Sequence, residues 1–283
     1  MSSNSPTRER NRKAARSSAI CTAGSNMSDC LTSMFEDAFA LRGNTFVLVH
    51  GAFHGGWCWR AVSTALRDAG HSVFTPTLTG LGERRHLMSA ALTIDTFVLD
   101  ITNLIESEDL SEVTLIGHSF GGTVISGVAD RMPHRLKRLV YLDAVTPLAG
   151  KSLFDMMPDA ERSARMAALA RLPDGGTQVP APPAKHFGID DAAQAAWVDR
   201  RLTPHPTGGY TSPVVLRNPI ANGVPAAYIR CTAPVFPIND PCAAFAASQP
   251  SWQYHEIATG HDAMISAPAE LASLLLRLEG SST

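Results

Sequence analysis

The stretch VTLIGHSFGGTVISGVAD, residues 113–130, predicts the fold of this chain. Its first four residues are mostly apolar, as in a buried strand, and residues 120–130 have the composition and spacing of a helix. Between them, residues 117–121 have the Gly-x-Ser-x-Gly spacing of a sharp strand-to-helix turn. Such a turn raises the serine hydroxyl above the sheet edge, near a helix N-terminus that favours negative charge. Ser119 is therefore predicted to be a nucleophile.

Strand and helix patterns alternate on both sides of this turn. Further runs typical of strands lie at residues 45–50, 72–75, 139–142, 226–231 and 252–257. Apolar residues with helical spacing occur at residues 59–69, 93–105 and 270–278. Short connections between such elements predict a parallel sheet with helices on both faces.

The alternation stops between residues 146 and 223, a segment rich in Pro, Gly, Ala and Met. Three stretches in it have helical character, namely residues 153–157, 160–172 and 191–202. We therefore interpret residues 147–223 as an inserted helical cap. The core is then formed by residues 45–146 and 224–283.

The composition limits the class of protein. The chain has 283 residues, of which 45% are hydrophobic and 18% charged, enough for a substantial core. The formal net charge of −2 argues against a nucleic-acid partner, and no apolar run is long enough to cross a membrane. The five cysteines are widely spaced and odd in number, which predicts free thiols rather than a disulfide framework. A cytoplasmic location is expected.

Residues 1–44 differ from the rest of the chain. Residues 1–16 hold five basic side chains and one acidic one, and no apolar stretch of signal-peptide length follows. We interpret the segment as a disordered tail or as the result of a start codon placed too early. A transit peptide is the alternative interpretation.

Two further groups are needed for serine chemistry. The first is a base, and His261 follows the last predicted strand and precedes the C-terminal helix. The second is a pair of backbone N–H groups for the oxyanion, which we assign to Phe120 and to Ala52 in the loop after the first strand. His50 and His54 flank Ala52 and are interpreted as holding that loop.

Four segments carry a resemblance to a known family. They are HGAFHGGWCW at residues 50–59, GHSFGG at 117–122, WVDRRLTP at 197–204 and GHDAM at 260–264. Over residues 45–278 the chain resembles the α/β-hydrolase branch that contains plant methylesterases, plant hydroxynitrile lyases and related bacterial esterases. The resemblance implies an α/β-hydrolase fold with a mostly parallel eight-stranded sheet and a helical cap after strand six. It also implies a serine esterase mechanism.

The sequence departs from the lyase members at two positions. Those members carry threonine directly after the first-loop histidine and lysine directly after the catalytic histidine. Here these positions are Gly51 and Asp262. Since both groups that handle a cyanohydrin are missing, hydroxynitrile lyase activity is not expected.

The acid of the triad is the second departure. Family members usually carry it just after the seventh strand, where this chain reads CTAPVFP at residues 231–237. Asp143, at the end of the strand after the serine turn, is the first candidate because it lies at the same sheet edge. Asp240 is the alternative, although it also suits an ordinary turn. The absence of any acid stays open, and Asp262 is expected to point away from His261.

We therefore predict a serine carboxylesterase for small hydrophobic or aromatic esters, with no cofactor and no metal. Candidate substrate contacts are Phe53, Met157 and Trp197. A lactonase, a perhydrolase or a carbon–carbon bond hydrolase would use the same triad. A receptor-like binder of small molecules with little turnover is the other alternative. We expect no membrane partner, and homodimerisation stays open.

Overall fold

The structure is a computed structural model that describes residue 41 and residues 43–280. Nearly all of the predicted tail, residues 1–44, lies outside the described residues. Nine strands occur in the described part: β1 (Thr45–Val49), β2 (Ser72–Phe74), β3 (Val113–His118), β4 (Leu136–Leu142), β5 (Ala170–Arg171), β6 (Thr177–Val179), β7 (His205–Pro206), β8 (Ala226–Cys231) and β9 (Trp252–Ile257).

Six of these strands form the main sheet, in the order β2-β1-β3-β4-β8-β9. All of its pairings are parallel. Strand β3 lies between β1 and β4, with Gly117 opposite Val49 on one side and Tyr141 on the other. The strand that carries the serine turn is therefore central, and its carboxyl end meets those of β1, β4 and β8 at one edge.

The number of strands corrects an expectation. The resemblance implies eight strands, whereas the described residues form a sheet of six. These six correspond to the six runs whose apolar pattern predicts a strand, and their bounds differ from the predicted ones by no more than three residues. The two additional strands had no support from the residue pattern.

Helices cover both faces of the sheet. The described helices are α1 (Arg60–Asp68), α2 (Ile94–Ser107), α3 (Gly121–Arg131), α4 (Leu153–Met156), α5 (Asp159–Ala167), α6 (Ala192–Asp199), α7 (Gly208–Thr211), α8 (Asp240–Ala247), α9 (Ala263–Ser266) and α10 (Pro268–Gly280). None of them is both long and apolar enough to span a bilayer.

Alternate residues of each strand serve two different cores. In β1, Phe46 and Leu48 pack with side chains of α1 and α10, whereas Val47 and Val49 pack with those of α2 and α3. This division follows from the two-residue period of a strand, which turns successive side chains to opposite faces. Both faces are apolar because both are covered, as is usual for parallel sheets.

The insertion between β4 and β8 has helices in all three predicted stretches, among α4 to α7. It also contains a short antiparallel sheet in the order β5-β6-β7, which the sequence pattern did not predict. These strands have only two or three residues each, too few to produce a recognisable period in the sequence.

The described cysteines, Cys58, Cys231 and Cys242, are buried and free, as predicted. Cys21 and Cys30 lie outside the described residues.

Candidate active site

The serine turn has the strained backbone that the sequence predicts. Ser119 has a φ of 53°, in the left-handed region, directly after β3 and before α3. A side chain at Gly117 would place its Cβ 2.6 Å from the carbonyl oxygen of Gly121. The carbonyl oxygen of Ser119 accepts a hydrogen bond from the backbone N–H of Val145 at 2.9 Å. The turn is therefore fixed from both sides, with the serine at the sheet edge.

The base lies next to the serine. Nε2 of His261 is 2.9 Å from Oγ of Ser119. The imidazole stacks on the ring of Phe236, with centroids 4.0 Å apart, and the backbone carbonyl of His261 accepts a hydrogen bond from Nε2 of His118 at 3.0 Å. These contacts hold both the ring and the backbone of His261 in place.

Asp143, the first candidate for the acid, completes the chain of hydrogen bonds. Its Oδ2 lies 2.6 Å from Nδ1 of His261, and the residue is fully buried. Asp143 follows β4 with a φ of 40°, and its N–H donates to the carbonyl of Ile229 at 2.7 Å. Nδ2 of Asn239 donates to the carbonyl oxygen of Asp143. The serine, the histidine and the carboxylate have the connectivity of a nucleophile, its base and an orienting acid.

Arg230 stabilises the buried carboxylate, although it was not among the residues predicted from the sequence. One terminal nitrogen of Arg230 is 3.0 Å from Oδ1 of Asp143, and the other pairs with Asp240. Burial disfavours the guanidinium charge, but the neighbouring groups, Asp143 foremost, together outweigh this effect and the pKa of Arg230 is raised. An arginine inside the buried strand β8 was the available signal, because such a residue needs an anionic partner.

Asp240, the alternative acid, does not reach the histidine. Its carboxylate contacts Arg230, and its side chain is 59% exposed. It begins α8, where an aspartate favours the first turn of a helix.

The two predicted oxyanion donors border the same space. Ala52 and Phe120 both line the cavity above Ser119. Neither backbone N–H donates to an acceptor in the described part of the chain, although nearly all buried N–H groups in proteins are paired. Phe53 has a φ of 70°, which turns the loop directly after Ala52. Both N–H groups are thus available to a molecule in the cavity.

His50 fixes the peptide that contains the Ala52 N–H. Its Nδ1 lies 2.8 Å from the carbonyl oxygen of Gly51, and its Nε2 accepts from the N–H of Leu78 at 3.0 Å. Burial lowers the pKa of His50 to about 3, so the ring is neutral, with its proton on Nδ1. The neutral ring supplies one donor and one acceptor, as these two contacts require.

His54 holds the next peptide of the loop as a charged ring, whereas His50 is neutral. Its Nδ1 lies 2.7 Å from the carbonyl oxygen of Ala52, and its Nε2 lies 3.0 Å from Oδ2 of Asp262. Since both partners are acceptors, only the doubly protonated ring satisfies both contacts. Burial is the largest single effect and lowers the pKa of His54, but the charge of Asp262 and the hydrogen bonds to Asp262 and Ala52 together outweigh it, so the pKa is raised. Burial likewise raises the pKa of Asp262, but the charge and hydrogen bond of His54, together with the nearby His118 and His261, outweigh it and the pKa is lowered.

The cavity above Ser119 is narrow and open to solvent, with about 40 Å³ accessible to the centre of a water-sized sphere. Two predicted substrate contacts, Phe53 and Met157, line it. Further wall residues are Val145, Leu153, Arg165, Phe187, Tyr210, Phe236 and Ile238.

The third predicted contact, Trp197, lies elsewhere, which is a correction. Its indole packs edge-on against Trp57, with ring centroids 5.2 Å apart, and the Arg201 guanidinium lies 4.2 Å from its ring centroid. It borders a separate groove with Cys58 and Arg60. The helical pattern of residues 191–202 predicts an element here but not which wall it faces.

Comparison with known proteins identifies the family of this chain. The sequence profile of the alpha/beta hydrolase family matches residues 46–274. A carbendazim hydrolyzing esterase from Nocardioides sp. (strain SG-4G) is 42% identical over 248 residues, which cover 82% of this chain and 98% of that protein. Methyl jasmonate esterase 1 of Vitis vinifera is 36% identical over 106 residues, covering 36% of this chain and 40% of the esterase.

Solved structures show the same fold. An extracellular alpha/beta-hydrolase from a Paenibacillus species has a TM-score of 0.70 at 24% identity, covering 83% of this chain and 98% of that one. A pyrethroid hydrolase has a TM-score of 0.63 at 20% identity, covering 84% and 98%. The family match covers most of the chain and the bacterial esterase matches over nearly its whole length, so this chain belongs to the alpha/beta hydrolase family and is a hydrolase.

Proposed function

We propose that this chain is a serine carboxylesterase that works through an acyl-enzyme. The observation that carries the proposal is the continuous hydrogen-bonded chain from Ser119 through His261 to the buried Asp143. It opens into a cavity that is also lined by Ala52 and Phe120, whose backbone N–H groups donate to no acceptor in the described part of the chain. A hydroxyl is a weak nucleophile near neutral pH, and this arrangement supplies the base that it needs.

In the acylation step, Oγ of Ser119 attacks the ester carbonyl carbon while Nε2 of His261 takes the hydroxyl proton. The carbonyl oxygen becomes an oxyanion, and the N–H groups of Ala52 and Phe120 stabilise it. The carbon–oxygen bond to the alcohol then breaks, and His261 gives its proton to the departing oxygen. Water repeats the sequence on the acyl-enzyme and releases the acid and Ser119.

Asp143 keeps His261 in the productive tautomer. Its carboxylate accepts a hydrogen bond from the Nδ1–H group, which leaves Nε2 as the base facing Ser119. It also stabilises the imidazolium that forms during each step. Arg230 compensates the charge of Asp143 between turnovers, when His261 is neutral.

Small hydrophobic or aromatic esters fit the cavity best. Its walls carry many apolar side chains, including Phe53, Met157 and Phe187. The relatives named above include a carbendazim hydrolyzing esterase and a methyl jasmonate esterase, which supports a search among esters with a ring. Carbendazim is the first named compound to test.

Lyase chemistry on cyanohydrins is disfavoured on steric grounds. A Cβ at Gly51 would lie 2.9 Å from the Cβ of Ser119, so the backbone here leaves no room for the threonine of the lyases. Asp262 is buried against His54 and does not replace their lysine. A lactonase, a perhydrolase or a carbon–carbon bond hydrolase would use the same machinery, and a substrate screen distinguishes these reactions.

The test is hydrolysis of nitrophenyl esters of increasing acyl length by the wild type and by Ser119→Ala. We expect kcat to fall by about 10⁶-fold in the variant, the loss seen when a triad serine is removed. The preferred length then sizes the acyl pocket. Unchanged thermal unfolding of the variant is the control. Hydrolysis that persists in Ser119→Ala would refute the proposal, and tight binding of an ester without product would favour the receptor-like alternative.

A further inference from the structure

Arg165 places a cation in the wall of the cavity. The other polar wall residues belong to the proposed triad and oxyanion loop or hold them in place, apart from Tyr210. Arg165 lies on the cap helix α5, and its side chain is only 13% exposed. Its terminal nitrogens are not among the fully buried atoms that lack a partner, so they face the open cavity rather than the packed interior. The groups that these nitrogens can bind therefore indicate what the cavity takes.

One of the five N–H donors of this guanidinium has a protein acceptor. Nε of Arg165 donates to Oε1 of Glu161 at 2.7 Å, one helical turn earlier. The guanidinium carbon lies 5.8 Å from the centroid of the Tyr210 ring, which restrains its orientation. The terminal nitrogens have no hydrogen-bond acceptor within residues 43–280. Their N–H groups are available to a molecule that lies against this wall.

The local charges favour an uncharged acceptor. Glu161 neutralises Arg165, and the buried carboxylates Asp143 and Asp262 have their own cations. A substrate carboxylate would lose its hydration without meeting an uncompensated positive charge. A carbonyl oxygen loses less hydration and still accepts a strong hydrogen bond from a charged donor.

We infer that Arg165 selects esters that carry a second, uncharged carbonyl group remote from the scissile bond, and that its terminal N–H groups hold that oxygen. The inference rests on the proposed esterase function and names the substrate class of the same cavity. Hydrogen bonds from charged groups are worth about a tenfold to hundredfold difference in affinity. The preference should therefore appear in KM.

The test compares matched substrate pairs in the wild type and Arg165→Met. One pair is nitrophenyl hexanoate and its keto analogue with the extra carbonyl next to the terminal methyl. The other pair is hexyl acetate and the corresponding keto-alkyl acetate, followed by acid release, so that both ends of the ester are probed. We expect the ratio of kcat/KM, keto over plain, to fall by about 10–100-fold in Arg165→Met for at least one pair.

Arg162→Met is the matched control, because Arg162 lies on the same helix and pairs with the exposed Asp159. It should keep the wild-type ratio. Arg165→Lys, which keeps the charge without the planar fork, should give an intermediate ratio and serves if Arg165→Met does not fold. Equal ratios in the wild type and both Arg165 variants would overturn the inference, as would a stronger preference for a carboxylate-bearing ester. Ser119→Ala measured beside them tests the esterase function separately.

Discussion

Two fully buried aspartates lie beside His261, and they do different things. Asp143 is distant in sequence but contacts Nδ1 of the ring, whereas Asp262 is the next residue and contacts His54 instead. Each has its own cation, Arg230 for Asp143 and the doubly protonated His54 for Asp262. A carboxylate near a histidine is therefore not enough to identify an acid, since the backbone decides which ring nitrogen it faces.

The two aspartate–cation pairs also have different tasks. The pair of Asp143 and Arg230 acts on the base, at the ends of β4 and β8. The pair of Asp262 and His54 joins the loop that carries His261 to the oxyanion loop. His54 also binds the carbonyl oxygen of Ala52 in the oxyanion loop. Disturbing the first pair should therefore lower the rate of ester hydrolysis, and disturbing the second should mainly lower the stability of the fold.

The largest expected effect tests the two aspartates directly. Asp143→Asn should lower kcat by about 10⁴-fold, because an amide leaves His261 in the wrong tautomer, as in other triads. Asp262→Asn, the matched control, should lower kcat far less, since it faces His54. Nitrophenyl ester kinetics measure both. A loss in Asp262→Asn as large as that in Asp143→Asn would contradict the comparison.

Removing the cation of the first pair comes next. Arg230→Met leaves Asp143 buried without compensation and should destabilise the protein by about 3–5 kcal/mol. It should also reduce kcat, because Arg230 holds the carboxylate that orients His261. Denaturant unfolding and ester kinetics measure these effects. Wild-type kcat together with wild-type stability would count against the role of Arg230.

The second pair predicts a pH-dependent loss of stability. His54→Gln should cost about 3–5 kcal/mol where both partners are charged. The raised pKa of His54 stabilises the fold below pH 6.5, and this contribution disappears as the pH rises through the folded value. The lowered pKa of Asp262 stabilises the fold above pH 3.8, and this contribution is lost on acidification. The difference in unfolding free energy between the wild type and His54→Gln should therefore be largest between these two pH limits and should become smaller at alkaline pH. Unfolding measured at several pH values tests this.

The smallest effect concerns the exposed carboxylate on Arg230. Asp240→Asn should change stability by less than about 1 kcal/mol and leave the pH–rate profile in place, because its side chain is 59% exposed. Thermal unfolding and ester kinetics measure this. A large rate loss here would mean that Asp240, not Asp143, is the acid that matters.

The sequence alone was sufficient to predict the elements that have a periodic residue pattern and the site residues that lie in a short motif. Six runs predicted the six strands of the main sheet, and the residues of the serine turn and of GHDAM predicted that Ser119 and His261 belong together. Both kinds of signal are local, since strand and helix periods and sharp turns depend on neighbouring residues. The eight-strand expectation came from resemblance alone and did not match the described sheet.

Only the tertiary structure could decide which partner each charged group takes. It placed Asp143 rather than Asp240 on His261, gave Asp262 to His54, moved Trp197 out of the cavity and brought Arg165 into it. The cap strands are too short to have a period, and contacts between residues over 100 positions apart leave no periodic trace in one sequence. Such pairings depend on where the chain crosses over, which the parallel sheet and its insertion determine.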